Sequence, residues 1–430
     1  MKITAQRYVI LTIAIAIISC GMVAAFNFIA DPYGAYRLFE FGKTQMAKPA
    51  IYRRVKLSKA YDLRQIKPEA IVLGTSRSHV GLRTTHGGWG VPIGARYNAA
   101  FDGATTKEMY AYLLHAYAVR PLRQVILGLD TWQLTKGPAW TRPDFDPTIL
   151  FQPGKPFHNA SVYAADLSLL ISTDTTKASI MQLRSAVIAQ PTWLAPDGQR
   201  LGEVFFREVE PDFPISPGGY FRNVDRQEIG FMLDSGAPQL LKKNQPKNSE
   251  KPLSSFDYIG KIVAFCRDQK IDLRIYLTPV HAHQLEIVAE LGGWPNIERG
   301  KRDLVDLLSK DAASNPSASP FPLYDFAGYS SVTTEPVPEP ASRSEMQYYW
   351  DSSHFKQRVG DWVLDRLFEF KDESDPYPED FGNILTPATI ATVLENIRAG
   401  QIAYRRERPG DIEFIRSLIK QQKGGADKGS

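Results

Sequence analysis

An uncharged apolar stretch near the N-terminus constrains this chain more than any other feature. Tyr8 to Ala30 reads YVILTIAIAIISCGMVAAFNFIA and contains no charged residue. A helix of this length matches the hydrocarbon core of a bilayer, roughly 30 Å. Lys2 and Arg7 precede the run, and Asp31 follows it. Positive charge before a span favours a cytoplasmic N-terminus, so the sequence predicts a single-pass membrane anchor.

Two alternatives to a permanent anchor remain open. A cleaved secretory signal has a shorter apolar core and a small-residue cleavage site, and this run continues past that length. The other alternative is a bacterial lipoprotein signal, because Ile17 to Gly21 reads IISCG and resembles a lipobox around Cys20. The anchor and the lipoprotein both predict a globular domain tethered to the bacterial inner membrane on its periplasmic side.

Composition predicts that most of the remaining chain is globular. The 430 residues are 43% hydrophobic and 23% charged, with a formal net charge of +4, and these fractions are ordinary for a globular protein. No basic run dominates the chain, which argues against a nucleic-acid partner. Cys20 and Cys266 lie far apart and predict no disulfide framework. The chain contains no cofactor-binding motif, so no cofactor is expected.

Alternating strand and helix signals predict an α/β fold with a parallel sheet. Short buried strands are predicted at 70–73, 124–129, 273–277 and 322–325, and helices at 105–118, 256–269 and 354–370. The expected divisions are an anchor (1–30), a juxtamembrane connector (31–67), an α/β domain (68–375) with an insertion over about 131–255, a C-terminal helical extension (376–420) and a disordered tail (421–430). The insertion is expected to cover the functional site.

The first candidate site segment directly follows the first predicted strand. It reads Gly74-Thr75-Ser76-Arg77-Ser78. The carboxyl ends of parallel strands are where α/β folds bind ligands, and a helix beginning here would aim backbone N–H groups at an anion. Ser76 is therefore a candidate nucleophile. The alternative is an ordinary strand-to-helix turn in which a serine caps the helix.

The second candidate segment is Asp351-Ser352-Ser353-His354, which precedes a late amphipathic helix. An aspartate and a histidine three residues apart at a helix start can point at the same space. A nucleophilic serine needs a base, and the base needs an orienting carboxylate. His354 and Asp351 supply these two types of group. The alternative is a capping aspartate beside a surface histidine.

Together, the two segments resemble the SGNH (GDSL-like) hydrolase superfamily. Its members carry Gly-Asp-Ser-x-Ser after the first strand and Asp-x-x-His before the last helix, and this chain lacks only the Asp of the first block. The resemblance implies a flavodoxin-like three-layer α/β domain and a catalytic triad of Ser76, His354 and Asp351. It also implies that the Ser76 N–H group belongs to an oxyanion hole.

Two further blocks carry the same resemblance less closely. The superfamily's Asn and Gly after the second strand correspond to Asn98 and Gly103, which implies that the Gly103 N–H group is an oxyanion donor. Asn98, Arg77 and Asp130 are also candidate pocket residues. The superfamily's third block, Gly-x-Asn-Asp, places Asp130 where a donor Asn is usual. A carboxylate cannot stabilise developing negative charge unless it is protonated or paired. Either Arg77 neutralises Asp130, or an amide from the insertion replaces the donor.

Aromatic residues and two histidines supply the remaining candidates. Trp132 follows Asp130 and is a candidate pocket residue that could stack on a sugar ring, although core packing is the commoner role of aromatics. His281 and His283 follow the third predicted strand, and this spacing can bind a metal. Because no third ligand is nearby, no metal is expected. His281 is instead expected to line the pocket, or both histidines to lie on the surface.

The leading functional interpretation is a membrane-anchored SGNH-like acyltransferase or esterase that acts on a cell-envelope or secreted polysaccharide. Membrane-anchored domains of this superfamily occur in bacterial polysaccharide O-acetylation systems, and the chain resembles them in its anchor and altered site. It differs from the alginate-modifying members, in which the Asp-His pair precedes the Ser. The expected partner is a membrane acyltransferase or a polysaccharide synthase complex. The alternatives are an inactive binding or assembly component of an exopolysaccharide system, and a metal-dependent hydrolase.

Overall fold

The computed structural model describes residues 4–36, 49–185, 193–234 and 253–426. The chain forms two compact units. The first, called the anchor unit, comprises Met1–Lys67, Leu114–Pro121 and Pro143–Thr192. The second, called the sheet unit, comprises Pro68–Leu113, Leu122–Arg142 and Trp193–Ser430. The stretch 131–255, predicted as one insertion, is divided between the two units.

The sheet unit is built on six strands: β1 (Ala70–Leu73), β2 (Arg96–Asn98), β3 (Gln124–Leu129), β4 (Asp272–Leu277), β5 (Leu323–Asp325) and β6 (Asn383–Ile384). Their spatial order is β2-β1-β3-β4-β5-β6, with the first five strands parallel and β6 antiparallel to β5. The predicted α/β fold with a mostly parallel sheet is thus confirmed. Doubly wound sheets of this order bind ligands at the switch point beyond the carboxyl ends of β1 and β3.

Burial of the strands explains why four of them are recognisable in the sequence. β1 reads AIVL and β3 reads QVILGL, and every residue of both strands is buried. Strands covered on both faces show continuous apolar runs, and the four predicted strands agree with the observed ones to within one residue. β6 is a two-residue exposed strand without such a run, and the sequence does not predict it.

Fourteen α-helices of more than four residues are described. In chain order they are α1 (Ala5–Ala30), α2 (Pro49–Arg53), α3 (Val55–Ile66), α4 (Ser76–Gly81), α5 (Thr106–Val119), α6 (Pro156–Leu170), α7 (Thr173–Ser185), α8 (Pro217–Asp234), α9 (Ser255–Asp268), α10 (Ala282–Glu290), α11 (Trp294–Ser314), α12 (Gln357–Phe368), α13 (Ile390–Glu407) and α14 (Pro409–Ala426). Shorter helical turns cover Ile93–Ala95, Thr131–Gln133, Pro147–Ile149 and Gly202–Val204, and the last continues as a π-helical turn over Phe205–Val209.

The C-terminal part of the sheet unit differs from the prediction in two places. The helix predicted from residue 354 begins at Gln357, because the preceding residues form a tight turn. The tail predicted to be disordered from residue 421 is helical as far as Ala426. Gln422 Nε2 donates to the Arg226 carbonyl at 2.6 Å, which fastens the last turns of α14 to α8. Residues 427–430 lie outside the described part of the chain.

The anchor unit begins with α1, whose 26 residues extend for about 39 Å at helical rise. By its length and composition, α1 is long and apolar enough to span a bilayer, and its most apolar part is not buried. A signal sequence near an N-terminus has the same character. The predicted connector 31–67 contains α2 and α3, while its residues 37–48 lie outside the described part.

The last turn of α1 is fastened to the hairpin formed by α6 and α7. The buried Asn27 donates from Nδ2 to the Leu170 carbonyl at 2.7 Å and to Thr176 Oγ1 at 2.9 Å. Its Oδ1 accepts a hydrogen bond from Ser179 Oγ at 2.9 Å. A buried amide in an apolar helix is stable only when its hydrogen bonds are satisfied. The end of α1 is therefore an integral part of the folded anchor unit.

Candidate active site

The sheet unit brings Ser76, His354 and Asp351 together although 274 residues separate Ser76 from the aspartate. Ser76 begins α4 directly beyond β1, and the other two residues lie in the turn before α12. His354 Nε2 lies 2.9 Å from Ser76 Oγ, and its Nδ1 lies 2.9 Å from Asp351 Oδ2. This is the geometry of a nucleophile, a base and an orienting carboxylate.

Asp351 is held rigidly because its carboxylate also shapes the turn. Its Oδ1 accepts the backbone N–H groups of Ser353 and His354 at 2.7 and 2.8 Å, and the side chain is buried. Burial lowers the pKa of His354, but the charge and the hydrogen bond of Asp351 together outweigh this effect, and the pKa lies above its usual value of 6.5. Asp351 thus stabilises the imidazolium that would form during catalysis.

Gly103 lines the same cavity as Ser76, which is the location expected of an oxyanion donor. Its φ of +58° is in the left-handed region, where glycine avoids the strain that a Cβ would cause. The preceding Asp102 is held in place by Arg200 Nη2 at 2.6 Å. Among the described residues, neither the Ser76 nor the Gly103 N–H group has a hydrogen-bond acceptor. Both groups are available to a ligand in the cavity.

Asp130 is paired with Arg77, one of the two arrangements that the sequence leaves open. Arg77 Nη1 lies 2.6 Å from Asp130 Oδ2, and both side chains are buried. Burial raises the pKa of Asp130, but the Arg77 charge and further hydrogen bonds lower it below its usual range. The carboxylate also accepts hydrogen bonds from Thr278 Oγ1 at 2.7 Å and Trp132 Nε1 at 3.0 Å. Ionised Asp130 accepts hydrogen bonds and cannot donate one to an oxyanion.

Arg77 joins this carboxylate to the turn that carries the acid–base pair. Its Nε donates to the Ser353 carbonyl at 3.1 Å, and its Nη2 lies 3.2 Å from Ser353 Oγ. Ser353 Oγ donates to Glu228 Oε1 at 2.7 Å and accepts from Gln284 Nε2 at 3.0 Å. The position of His354 is therefore tied to the ends of β1 and β3 through one guanidinium group.

Arg142 is a cation that the sequence does not single out. A Cβ added to Gly103 would lie 2.5 Å from Arg142 Nη1, so the guanidinium group lies against the Gly103 backbone. It lines the same cavity as Ser76. Within the described ranges, the Arg142 guanidinium group forms no hydrogen bond or ion pair, and only the backbone N–H is engaged, by Glu108. Arg142 is thus a free donor beside a candidate oxyanion donor.

The cavity at the triad has a volume of about 560 Å³, which falls within the range of small-molecule sites. Besides arginines such as Arg142, its walls carry aromatic and acidic side chains. The Phe206 ring lies 5.7 Å from the His354 ring and stacks on Trp350. Trp132, 40% exposed, and Trp140 also line the cavity, together with Glu210 and Glu228. These groups offer flat apolar surfaces and hydrogen-bond acceptors to a polar ligand.

Two predicted pocket residues lie elsewhere. Asn98 is fully buried, and its Nδ2 donates to the carbonyls of Ser78 and Leu82, so it supports the turn after β1. His281 caps α10, with Nε2 donating to the Glu335 carbonyl at 2.7 Å, and burial lowers its pKa to about 3. His283 contacts Asp225 at 2.7 Å. In the described part of the chain, no cluster of three potential metal ligands occurs.

Sequence reasoning also missed Ser353, Glu228, Gln284 and Phe206, which surround the triad. Ser353 lies inside the recognised Asp-x-x-His block, where its serine hydroxyl is a visible signal. The other three come from α8, α10 and the turn after residue 204, and no local pattern marks them. No protein-family model matches this chain, and comparison with curated proteins finds no match. The chemistry of the site is therefore inferred from its own geometry.

The first prediction concerns the buried pair. Asp130→Asn leaves the buried Arg77 charge without its carboxylate, so the free energy of unfolding should fall by about 3–5 kcal/mol. Denaturant unfolding of the detergent-solubilised full-length protein, followed by tryptophan fluorescence, measures the change. Glu203→Gln is the control, because Glu203 forms an exposed ion pair with Arg207. This substitution should lower the free energy of unfolding by at most about 0.5 kcal/mol. Equal losses in the two variants would contradict the role of the buried pair.

Proposed function

We propose that this protein is a membrane-anchored SGNH-like acyltransferase or esterase that acts on a polysaccharide of the cell envelope or a secreted one. The observation that carries this proposal is the arrangement of Ser76, His354 and Asp351 in one cavity at the switch point of the sheet. The SGNH assignment rests on the four sequence blocks together with this geometry. Trp132 and Trp140 favour a sugar ligand, since aromatic faces can pack on sugar rings.

In the proposed reaction, Ser76 Oγ attacks the carbonyl carbon of an acyl donor while His354 Nε2 takes the serine proton. The carbonyl oxygen becomes an oxyanion facing the N–H groups of Ser76 and Gly103. The bond to the leaving group then breaks, and His354 protonates that group, which leaves an acyl ester on Ser76. In the second half, water or a sugar hydroxyl gives a proton to His354 and attacks the carbonyl carbon of the ester. The bond between that carbon and Ser76 Oγ then breaks, and His354 returns the proton to Ser76. If water accepts the acyl group, the protein acts as an esterase, and if a sugar hydroxyl accepts it, the protein acts as a transferase.

The anchor gives this chemistry a location. Asn27 forms three hydrogen bonds inside the anchor unit. Cleavage beyond α1 would remove the amide that pairs with the Leu170 carbonyl and the Ser179 hydroxyl, which favours a retained helix over a removed leader. A retained helix with Lys2 and Arg7 before it would place the rest of the chain in the periplasm of a bacterium. Processing before Cys20, as in a lipoprotein, would keep Asn27 and is distinguished by intact mass. A membrane acyltransferase is the proposed acyl source.

The second candidate function is an inactive binding or assembly component of an exopolysaccharide system. The specific observation in its favour is Asp130, which stands at the position of a donor Asn and is ionised. The two candidates differ in whether the cavity supplies another donor to the oxyanion. Arg142 is the residue placed to do so.

The second prediction tests the nucleophile. Ser76→Ala should lower the hydrolysis of an aryl acetate by the full-length protein roughly 10⁶-fold, to background, because the triad loses its attacking atom. Ser352→Ala is a matched control, since its buried hydroxyl has no hydrogen-bond partner among the described residues, and should retain activity. Absence of hydrolysis in the wild type, with unchanged polymer acetylation in Ser76→Ala cells, would sink the enzyme proposal in favour of the inactive component.

The third prediction uses the pH dependence of the base. His354 must be neutral to accept a proton, and its pKa is raised above 6.5. We therefore expect kcat/KM to fall as the pH decreases through a value above 6.5. In Asp351→Asn, the charge that does most to raise the pKa of His354 is removed, while the burial that lowers this pKa remains. The fall in kcat/KM should therefore occur at lower pH, and kcat should be reduced about 10⁴-fold. An acid limb that is unchanged in Asp351→Asn would assign the titration to another group.

The fourth prediction concerns Arg142 as the replacement oxyanion donor. Arg142→Ala should lower kcat by roughly 10²–10³-fold with a small change in KM, because the donor acts on charge that develops in the transition state. Arg142→Lys should recover part of this loss. Arg299→Ala, at an exposed arginine on α11, is the control. A rise in KM with unchanged kcat would instead show that Arg142 binds the substrate before reaction.

A further inference from the structure

The anchor unit exposes an unusual concentration of large apolar side chains outside its membrane helix. Among the described residues, fourteen large apolar side chains outside α1 are exposed, and six of them belong to the 27-residue stretch 157–183. They are Phe157, Tyr163, Leu167, Ile171, Ile180 and Leu183, with exposed fractions of 92, 60, 63, 49, 42 and 53%. Single exposed apolar residues are normal, whereas a continuous patch marks an interaction surface.

The spacing along α6 and its C-cap residue Ile171 shows that the exposed apolar residues of this segment lie on one face of the helix. Phe157, Leu167 and Ile171 recur at intervals of three to four residues or multiples of them, with exposed alanines at 160 and 164 between them. The one charged side chain of α6, Asp166, faces the other way, where Tyr61 and Arg64 bind it at 2.9 and 2.7 Å. The exposed face of α6 is therefore free of charge.

Continuity with α1 identifies what covers this face. The hairpin α6–α7 holds the last turn of α1 through Asn27, and Gln182 Nε2 donates to the Ala30 carbonyl at 2.9 Å. A membrane helix that ends at Ala30 leaves the bilayer at that level, so the hairpin lies where the helix meets the headgroups. At about 22 Å, α6 is too short to cross a core of roughly 30 Å. An uncharged face of this length suits the interface.

We propose that the α6–α7 hairpin is a second membrane-binding element, which lies in the plane of the bilayer and inserts its apolar face among the lipid acyl chains. Lys177 and Arg184 are exposed on α7, and cations of this kind reach lipid phosphates while their stems stay in apolar surroundings. Together with α1, the hairpin fixes the orientation of the anchor unit on the membrane. This inference rests on the proposed anchoring by α1.

Site-specific fluorescence quenching in vesicles tests the proposal. The full-length Cys20→Ser protein, whose remaining Cys266 is fully buried, receives Leu167→Cys or Leu183→Cys and a nitrobenzoxadiazole label. It is reconstituted into vesicles of phosphatidylethanolamine and phosphatidylglycerol. A nitroxide near the headgroup end of the acyl chains should quench each label by roughly twofold or more, whereas aqueous iodide should quench little. Ile402→Cys on α13 is the control, because Ile402 is 70% exposed and no other large apolar residue of that helix is exposed. The label at residue 402 should respond to iodide.

Two results would overturn the hairpin proposal. Labels at residues 167 and 183 that respond to iodide as Ile402→Cys does would place the face in water. Labels that neither quencher reaches would show that protein, such as a second copy of the chain, covers the face. A label on the native Cys20 of the otherwise unchanged chain tests the anchor separately. If lipid nitroxides quench this label, α1 still lies in the membrane, and only the hairpin proposal fails. The readout is independent of catalytic activity.

Discussion

The buried guanidinium group of Arg77 connects three chain segments that are far apart in the sequence. Arg77 itself follows Ser76 directly beyond β1. Its guanidinium group forms an ion pair with Asp130 beyond β3, and it donates to both the carbonyl and the hydroxyl of Ser353 in the turn before α12. A buried charge is stable only when it is paired and hydrogen-bonded. The groups that pair with Arg77 belong to the segments that form the site. A movement of the sheet edge or of the turn would therefore leave the buried Arg77 charge unpaired.

This pairing explains why Asp130 cannot act as its counterpart does in the superfamily that the sequence resembles. Its oxygens accept hydrogen bonds from Arg77, Thr278 and Trp132, so the residue organises the site without donating to an oxyanion. In our proposal, the donor role falls to the backbone N–H groups of Ser76 and Gly103 and to Arg142. A guanidinium group stabilises negative charge more strongly than an amide does, and this would offset the loss of the Asn.

The sequence predicts those parts of the structure that depend on short-range patterns of residues. The strands β1 and β3 were recognisable because buried parallel strands are continuous apolar runs, and the segments around Ser76 and His354 follow from residue types at fixed spacing. The sequence predicts that the last amphipathic helix begins at residue 354, three residues before its observed start at Gln357, since hydrogen bonds to the Asp351 carboxylate leave no periodic signal. The sequence predicts His281 in the pocket, but the orientation of a side chain depends on packing that one segment does not reveal. Arg142 and Glu228 reach the site only through tertiary structure.

The central claim is that Ser76 is a nucleophile activated by His354. Treatment of the full-length protein with a fluorophosphonate, followed by peptide mass spectrometry, tests it most directly, because this reagent forms a stable adduct only with an activated hydroxyl group. The account predicts a single adduct on the peptide that contains Ser76, and no adduct in His354→Ala. An unlabelled wild-type protein, or an adduct on another serine, would contradict it.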